Sequence, residues 1–234
     1  MTKVMTQPNK EKKNTVAPGK YLTAGNVSMT VFILFAYLML AMRNGYMLRW
    51  YDEMSLFEPT GDFFNVFLNY PGGIFRYAGA WLTQLMYYPA LGSAVLIALW
   101  LLTAWVTCKA FNLSKSSIPL SLVIPLAMLA SVVQLDEAWL TLKTPGYIYS
   151  NTLGYLFTLT MIWIFRISES RKGLAFCVPG LISLTYCFSG FYGLMATVIC
   201  LVILGVVAIR EKDRKAIPVI AITAALVMIT PRLY

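Results

Sequence analysis

Seven apolar stretches, each of 15 to 19 residues and each without a charged residue, recur along the 234-residue chain, at 27–42, 91–106, 118–133, 147–165, 173–188, 192–209 and 216–230. A helix of about 20 such residues crosses the roughly 30 Å hydrocarbon core of a bilayer. Inside that core a helix satisfies its own backbone hydrogen bonds, which an irregular segment exposed to lipid does not. The spacing therefore predicts an all-α polytopic membrane protein of about seven transmembrane helices. Composition points the same way, with 59% apolar residues, 12% charged residues and a mean hydropathy of +0.67. Soluble domains carry about 25% charged residues. A conventional soluble enzyme, a disordered chain and a secreted disulfide scaffold are excluded.

Residues 1–26 are polar and basic, with Lys3, Lys10, Lys12, Lys13 and Lys20, and read as a flexible cytoplasmic tail. The remainder, 27–234, reads as one transmembrane domain. The first apolar stretch is expected to stay uncleaved, because no small-x-small site precedes Arg43. The segment 43–85 has another character: residues 46–88 hold 13 of the chain's 33 aromatics. Phe63, Phe64, Phe67 and Leu68 fall on one helical stripe, with Asp62 as the expected cap. Pro71-Gly72-Gly73 ends that helix, and Ile74 to Leu85 forms a second amphipathic segment. Both are expected to lie in the membrane interface, where aromatic rings are favoured. Ser117 and Pro119 are expected to open the third span, and Pro179-Gly180 to kink the fifth.

Positive charge sets the orientation. With the N-terminus inside, 14 of the 19 Lys and Arg residues fall on the inner side. The other five, Arg43, Arg49, Arg76, Lys143 and Arg232, fall outside. The net charge of +9 is thus carried by loops facing anionic lipid headgroups. A nucleic-acid partner is not expected, since the basic residues are interleaved with spans. The lipid bilayer is the expected partner. Six of the ten acids lie outside, and none lies mid-span. That weighs against a proton- or sodium-coupled transporter.

The chain has no histidine, which excludes His-ligated metals and His-based nucleophilic pairs. Any general acid or base must then be Asp, Glu, Lys, Tyr or Cys. The four cysteines, Cys108, Cys177, Cys187 and Cys200, form no CxxC and read as buried free thiols. Two acidic pairs stand out. Asp52-Glu53 follows the first span and Asp136-Glu137 follows the third, both in outer loops. Paired carboxylates beside an apolar wall can divide labour, one serving as a base and the other staying ionised or holding a metal. The plain alternative is two solvated loops.

This layout resembles the C-type glycosyltransferases, which use polyprenyl-phosphate-linked sugars. Asp52 and Glu53 match the first acidic position of that superfamily, and Asp136 and Glu137 the second. The long first outer loop and the Tyr87-Tyr88-Pro89-Ala90-Leu91-Gly92 entry to the second span fit as well. The resemblance implies that Asp52 or Glu53 acts as general base on an acceptor hydroxyl or orients it. It implies that Asp136 or Glu137 binds a divalent metal or the acceptor. Arg49 or Arg232 would neutralise the phosphate of the lipid carrier. The chain departs from that group in having no soluble acceptor-binding domain and fewer spans.

A second resemblance rests on Met54-Ser55-Leu56-Phe57, Tyr70-Pro71-Gly72-Gly73, Trp81-Leu82-Thr83-Gln84 and Tyr88-Pro89-Ala90-Leu91-Gly92. These are similar to the N-terminal signature of a family of bacterial multi-pass membrane proteins of unknown function. It implies the bacterial inner membrane but no activity. Members of that family are longer, and Arg232-Leu233-Tyr234 ends almost on the last apolar stretch, so a fragment or a shortened relative is expected. Two other functions fit the same sequence: a non-catalytic membrane scaffold or subunit, and a lipid or small-solute transporter hinged at Pro179-Gly180.

Overall fold

The structure is a computed structural model that describes residues 19–134, 146–168, 172–211 and 216–233. Among these residues the regular structure is entirely helical. Helix α1 (Gly19–Tyr37) continues through a single π-helical segment, Leu38–Arg43, and stops at Asn44. Three short helices follow: α2 (Gly45–Met54), α3 (Gly61–Leu68) and α4 (Gly73–Thr83). A 3₁₀ turn, Gln84–Tyr87, leads into α5 (Pro89–Ala110), where Pro89 occupies the first turn and needs no hydrogen-bond acceptor there. A second 3₁₀ turn, Lys115–Leu122, precedes α6 (Val123–Gln134). Then come α7 (Tyr147–Ser168), α8 (Lys172–Leu184), α9 (Tyr186–Ser189), α10 (Phe191–Glu211) and α11 (Ala216–Leu233).

Five helical segments are long and apolar enough to cross a membrane: Gly25–Arg43, Pro89–Ala110, Ser116–Val133, Tyr147–Ser168 and Phe191–Arg210. They coincide with five of the seven expected spans. The other two differ. The stretch 173–188 is not one helix, because its backbone turns at Thr185 between α8 and α9. There the Thr185 hydroxyl donates to the Ile182 carbonyl at 2.6 Å, and the Phe188 and Ser189 amides donate to the Thr185 carbonyl. The last apolar helix, Ile217–Arg232, is shorter than the five. At 1.5 Å per residue it covers about 24 Å.

Local capping also departs from expectation in two places. Thr60 rather than Asp62 caps α3, its hydroxyl accepting from the Phe63 amide at 3.3 Å. Asp62 sits in the first turn, where its charge complements the helix dipole. Ser117 lies inside the 3₁₀ turn instead of capping an α-helix, because Pro119 removes an amide donor there.

Helix directions follow from the contacts. Tyr149 donates its hydroxyl to the Gly92 carbonyl at 2.8 Å, and Trp105 and Trp163 meet ring to ring at 5.6 Å. Helices α5 and α7 therefore run the same way. Tyr192 donates to Asn151 Oδ1 at 2.7 Å, while Ala196, Cys200 and Leu204 pack with Ile162 and Phe165, so α10 runs parallel to α7. Helix α1 runs opposite, since Gly45 at its far end packs on Pro89 and Phe32 meets Trp100 at 6.4 Å. The starts of α5, α7 and α10 thus share one end of the bundle, and α2 to α4 cover that end. The opposite end carries a basic residue in the last turn of each parallel helix: Lys109, Arg166 and Arg210.

In lipid the hydrophobic effect does not drive helices together, so close packing and hydrogen bonds carry the association. The interior shows both. The Trp100 indole N–H donates to Thr152 Oγ1 at 3.2 Å, with Trp100 fully buried. Gly154 lies flat against the Tyr192 ring, and the Thr158 hydroxyl reaches both the Gly154 and Tyr192 carbonyls at 3.0 Å. Large apolar side chains face outward instead, among them Val31, Leu34, Val202 and Ile209. Such a surface is costly in water and suits acyl chains.

Candidate functional site

The expected aromatic stripe on α3 is real. Phe57, Phe63, Phe64 and Phe67 surround the Tyr77 ring at centroid distances of 4.9 to 6.2 Å and fasten α3 to α4. Helix α4 in turn lies across the start of α7, where Gly79 and Gly146 allow backbone-to-backbone contact. Its first turn is set by Gly72, whose φ of +78° is accessible to glycine at little cost. Gly72 touches Gly190, itself at φ +57°, and a Cβ on Gly190 would stand 3.0 Å from Gly72 backbone atoms. Two of the hollows at this end of the bundle bear on the candidate residues.

The first holds three of the sequence candidates. Arg49, Asp52 and Glu53 from α2 face Tyr87 and Tyr88 across a hollow of about 400 Å³. Arg49 and Glu53 are exposed, while Asp52 is half-buried. One Asp52 oxygen, Oδ1, is buried without a hydrogen-bond partner. Burial first, and then the charge of neighbouring Glu53, hold the Asp52 carboxyl above its ordinary range. Among the described residues four buried side-chain polar atoms have no partner, and three of them, on Asn44, Asp52 and Ser55, flank or lie in α2. Unpaired buried polar atoms are rare in folded chains and each calls for a reason. A half-buried carboxylate with a raised pKa is suited to taking a proton.

The remaining candidates are not brought to this hollow. Arg232 is exposed in the last turn of α11 and is not part of its lining. Asp136 and Glu137 lie outside the described residues. Among the described residues no three acids or cysteines gather at metal-binding spacing. The thiols also sort differently from expectation: Cys200 is buried, Cys108 half-buried and Cys187 exposed, while the Cys177 side chain lies outside the described residues. Cys187 is turned out because α9 is a single short turn rather than part of a packed span.

The second hollow was not legible in the sequence. It measures about 500 Å³ and is lined by Tyr51, Arg76, Tyr147, Ser150, Tyr186 and Tyr192, with Gly72 and Gly190 at its wall. Successive residues of an α-helix point 100° apart. Tyr51 therefore faces this chamber while Asp52 faces the other. Only the assignment of Arg76 to the outer side hinted at it. The five contributing elements come from positions 51 to 192, and no local pattern links them.

The fold and its apolar exterior define a multi-pass α-helical membrane protein with a helical cover on one end. The chain belongs to a family of unknown function, DUF6057, whose model matches residues 20–234. No curated protein matches the chain. No solved structure matches it.

Proposed function

We propose that this chain is a seven-span protein of the bacterial inner membrane with a glycosyltransferase-like centre on its outer face. The five long helices supply five crossings; α8 with α9 supplies the sixth and α11 the seventh. Two observations support the count. Helix α9 ends at Gly190, against Gly72, at the end where α5, α7 and α10 begin. Ser183 of α8 lies 3.3 Å from Thr230 of α11, hydroxyl to hydroxyl. The basic last turns of α5, α7 and α10 support a reading in which the opposite end, and the N-terminus with it, faces the cytoplasm. Helices α3 and α4 then lie in the outer interface.

The observation that carries the activity is the half-buried Asp52, its carboxyl pKa raised, in a hollow shared with Arg49, Glu53, Tyr87 and Tyr88. In this reading Asp52 takes the proton of an acceptor hydroxyl, which at neutral pH is too weak a nucleophile alone. Arg49 faces the phosphate of a polyprenyl-phosphate-linked sugar. Asp136 or Glu137 completes the centre from the next outer loop, holding a divalent metal or the acceptor.

The test is sugar transfer from such a donor by the protein in proteoliposomes. Asp52→Asn should lower the rate by about 10² or more, the usual contribution of a positioned base. Unchanged transfer in Asp52→Asn refutes the assignment. Absence of transfer in the wild type, together with a co-purifying membrane partner, makes the chain a non-catalytic subunit.

A further inference from the structure

The 500 Å³ chamber next to α4 has a chemistry of its own. Its size falls within the range of small-molecule sites. Arg76 is the one charged side chain among its described lining residues, and no described carboxylate pairs with it. Arg76 is half-buried and lines the chamber together with Tyr192. Ser150 and the phenols of Tyr51, Tyr147, Tyr186 and Tyr192 line the same chamber, the Tyr192 hydroxyl donating to Asn151. The three longest elements that reach the chamber do so with their N-terminal ends. Gly72 precedes α4, Gly146 precedes α7 and Gly190 precedes α10, and all three glycines have positive φ. Each helix N-terminus contributes about half a positive charge, directed at the same space as the guanidinium.

The walls are also fixed. Gly72 and Gly190, both in the lining, are in backbone contact, so part of the wall is main chain; beside it Gly146 is in backbone contact with Gly79 and Ala80 and seats α4 on α7. We infer that this chamber is a binding site for a phosphate ester, with Arg76 as its charged anchor. A guanidinium matches the geometry of a phosphate with two parallel donors, which a single ammonium does not. The aromatic faces accommodate the carbon body of the ester, a glycerol or a sugar. The same chemistry is offered by a lipid headgroup and by a free ester. This site is distinct from the Asp52 hollow, and its existence does not depend on any transfer activity there.

The experiment titrates the full-length protein, held in phosphatidylcholine nanodiscs, with glycerol 3-phosphate and with glycerol. A parallel arm dopes the discs with phosphatidic acid and counts retained lipid by native mass spectrometry. Saturable binding of glycerol 3-phosphate but not glycerol assigns a soluble ester. Retention of phosphatidic acid with no binding of the soluble ester assigns a lipid headgroup. Either supports the site. Arg76→Gln should weaken the binding observed by about tenfold or more, and Arg76→Lys should weaken it less. Wild-type protein that binds neither ester overturns the proposal whether or not the variants fold. Equal binding by a folded Arg76→Gln also overturns it. Asp52→Asn should bind as the wild type does, so loss of transfer there leaves this site standing.

Discussion

Gly79→Ala tests the seat of α4 on α7. On helix propensity alone the change should stabilise, since Ala is favoured over Gly by about 1 kcal/mol in a helix interior. The surroundings oppose it. A Cβ at position 79 would stand 2.6 Å from the Gly146 carbonyl oxygen, 2.7 Å from the Ser150 amide nitrogen and 2.8 Å from Ser150 Cβ. Comfortable carbon contacts lie at about 3.5–4.0 Å. Two of the obstructing atoms are backbone and cannot change rotamer, so α4 must retreat by roughly 1 Å. A retreat of that size forfeits a quarter to a half of the dispersion energy across the interface. Overpacking of this kind costs about 1–3 kcal/mol, and rigid main-chain neighbours put it at the upper end. The net expectation is a loss of about 2 kcal/mol. Gly205→Ala on α10 is the control, because nothing lies within 4 Å of the added methyl. It should be neutral or stabilising by up to about 1 kcal/mol. Thermal unfolding of both variants in the same detergent, followed by tryptophan fluorescence, gives the comparison. A Gly79→Ala protein as stable as Gly205→Ala refutes the close seat.

Three further outcomes are expected. Asp52 has a raised carboxyl pKa in the fold, so its stabilising contribution is present below about pH 4 and declines as pH rises through the folded value. Asp52→Asn should therefore melt at or above the wild-type temperature at neutral pH, with the difference vanishing in acid, as read by melting curves across pH. Thr152→Val keeps the shape but strands the buried Trp100 indole N–H, and should cost about 1–2 kcal/mol in unfolding measurements. Glu58→Cys, in the exposed segment between α2 and α3, should react with a membrane-impermeant maleimide in whole cells. Labelling only in inverted vesicles would reverse the proposed orientation.

Much of the candidate chemistry was readable as composition and place. Asp52 and Glu53 were visible as acids just past an apolar run, and the α3 aromatics as a stripe. Their relations were not readable. That Asp52 loses a partner for one oxygen while Tyr51 turns to another chamber depends on how α2 seats against α5 and the Gln84–Tyr87 turn. The split of 173–188 was hidden for a related reason. Its residues are as apolar as those of a span, and the turn at Thr185, whose amide and hydroxyl both go to the Ile182 carbonyl, has no mark in hydropathy.

The amino-acid order by itself pointed to lipid as the solvent and to helices as the regular structure. Uncharged runs of this length are stable in lipid only as helices. Those are properties of single segments, set by transfer energies that need no partner. The tertiary structure alone decided which helix ends converge. Gly72 meets Gly190 and Gly79 meets Gly146 across gaps of 118 and 67 positions, and the first of these contacts lies in the wall of the Arg76 chamber. Close backbone approach is a relation between distant segments, so it leaves no period or motif in the order of residues.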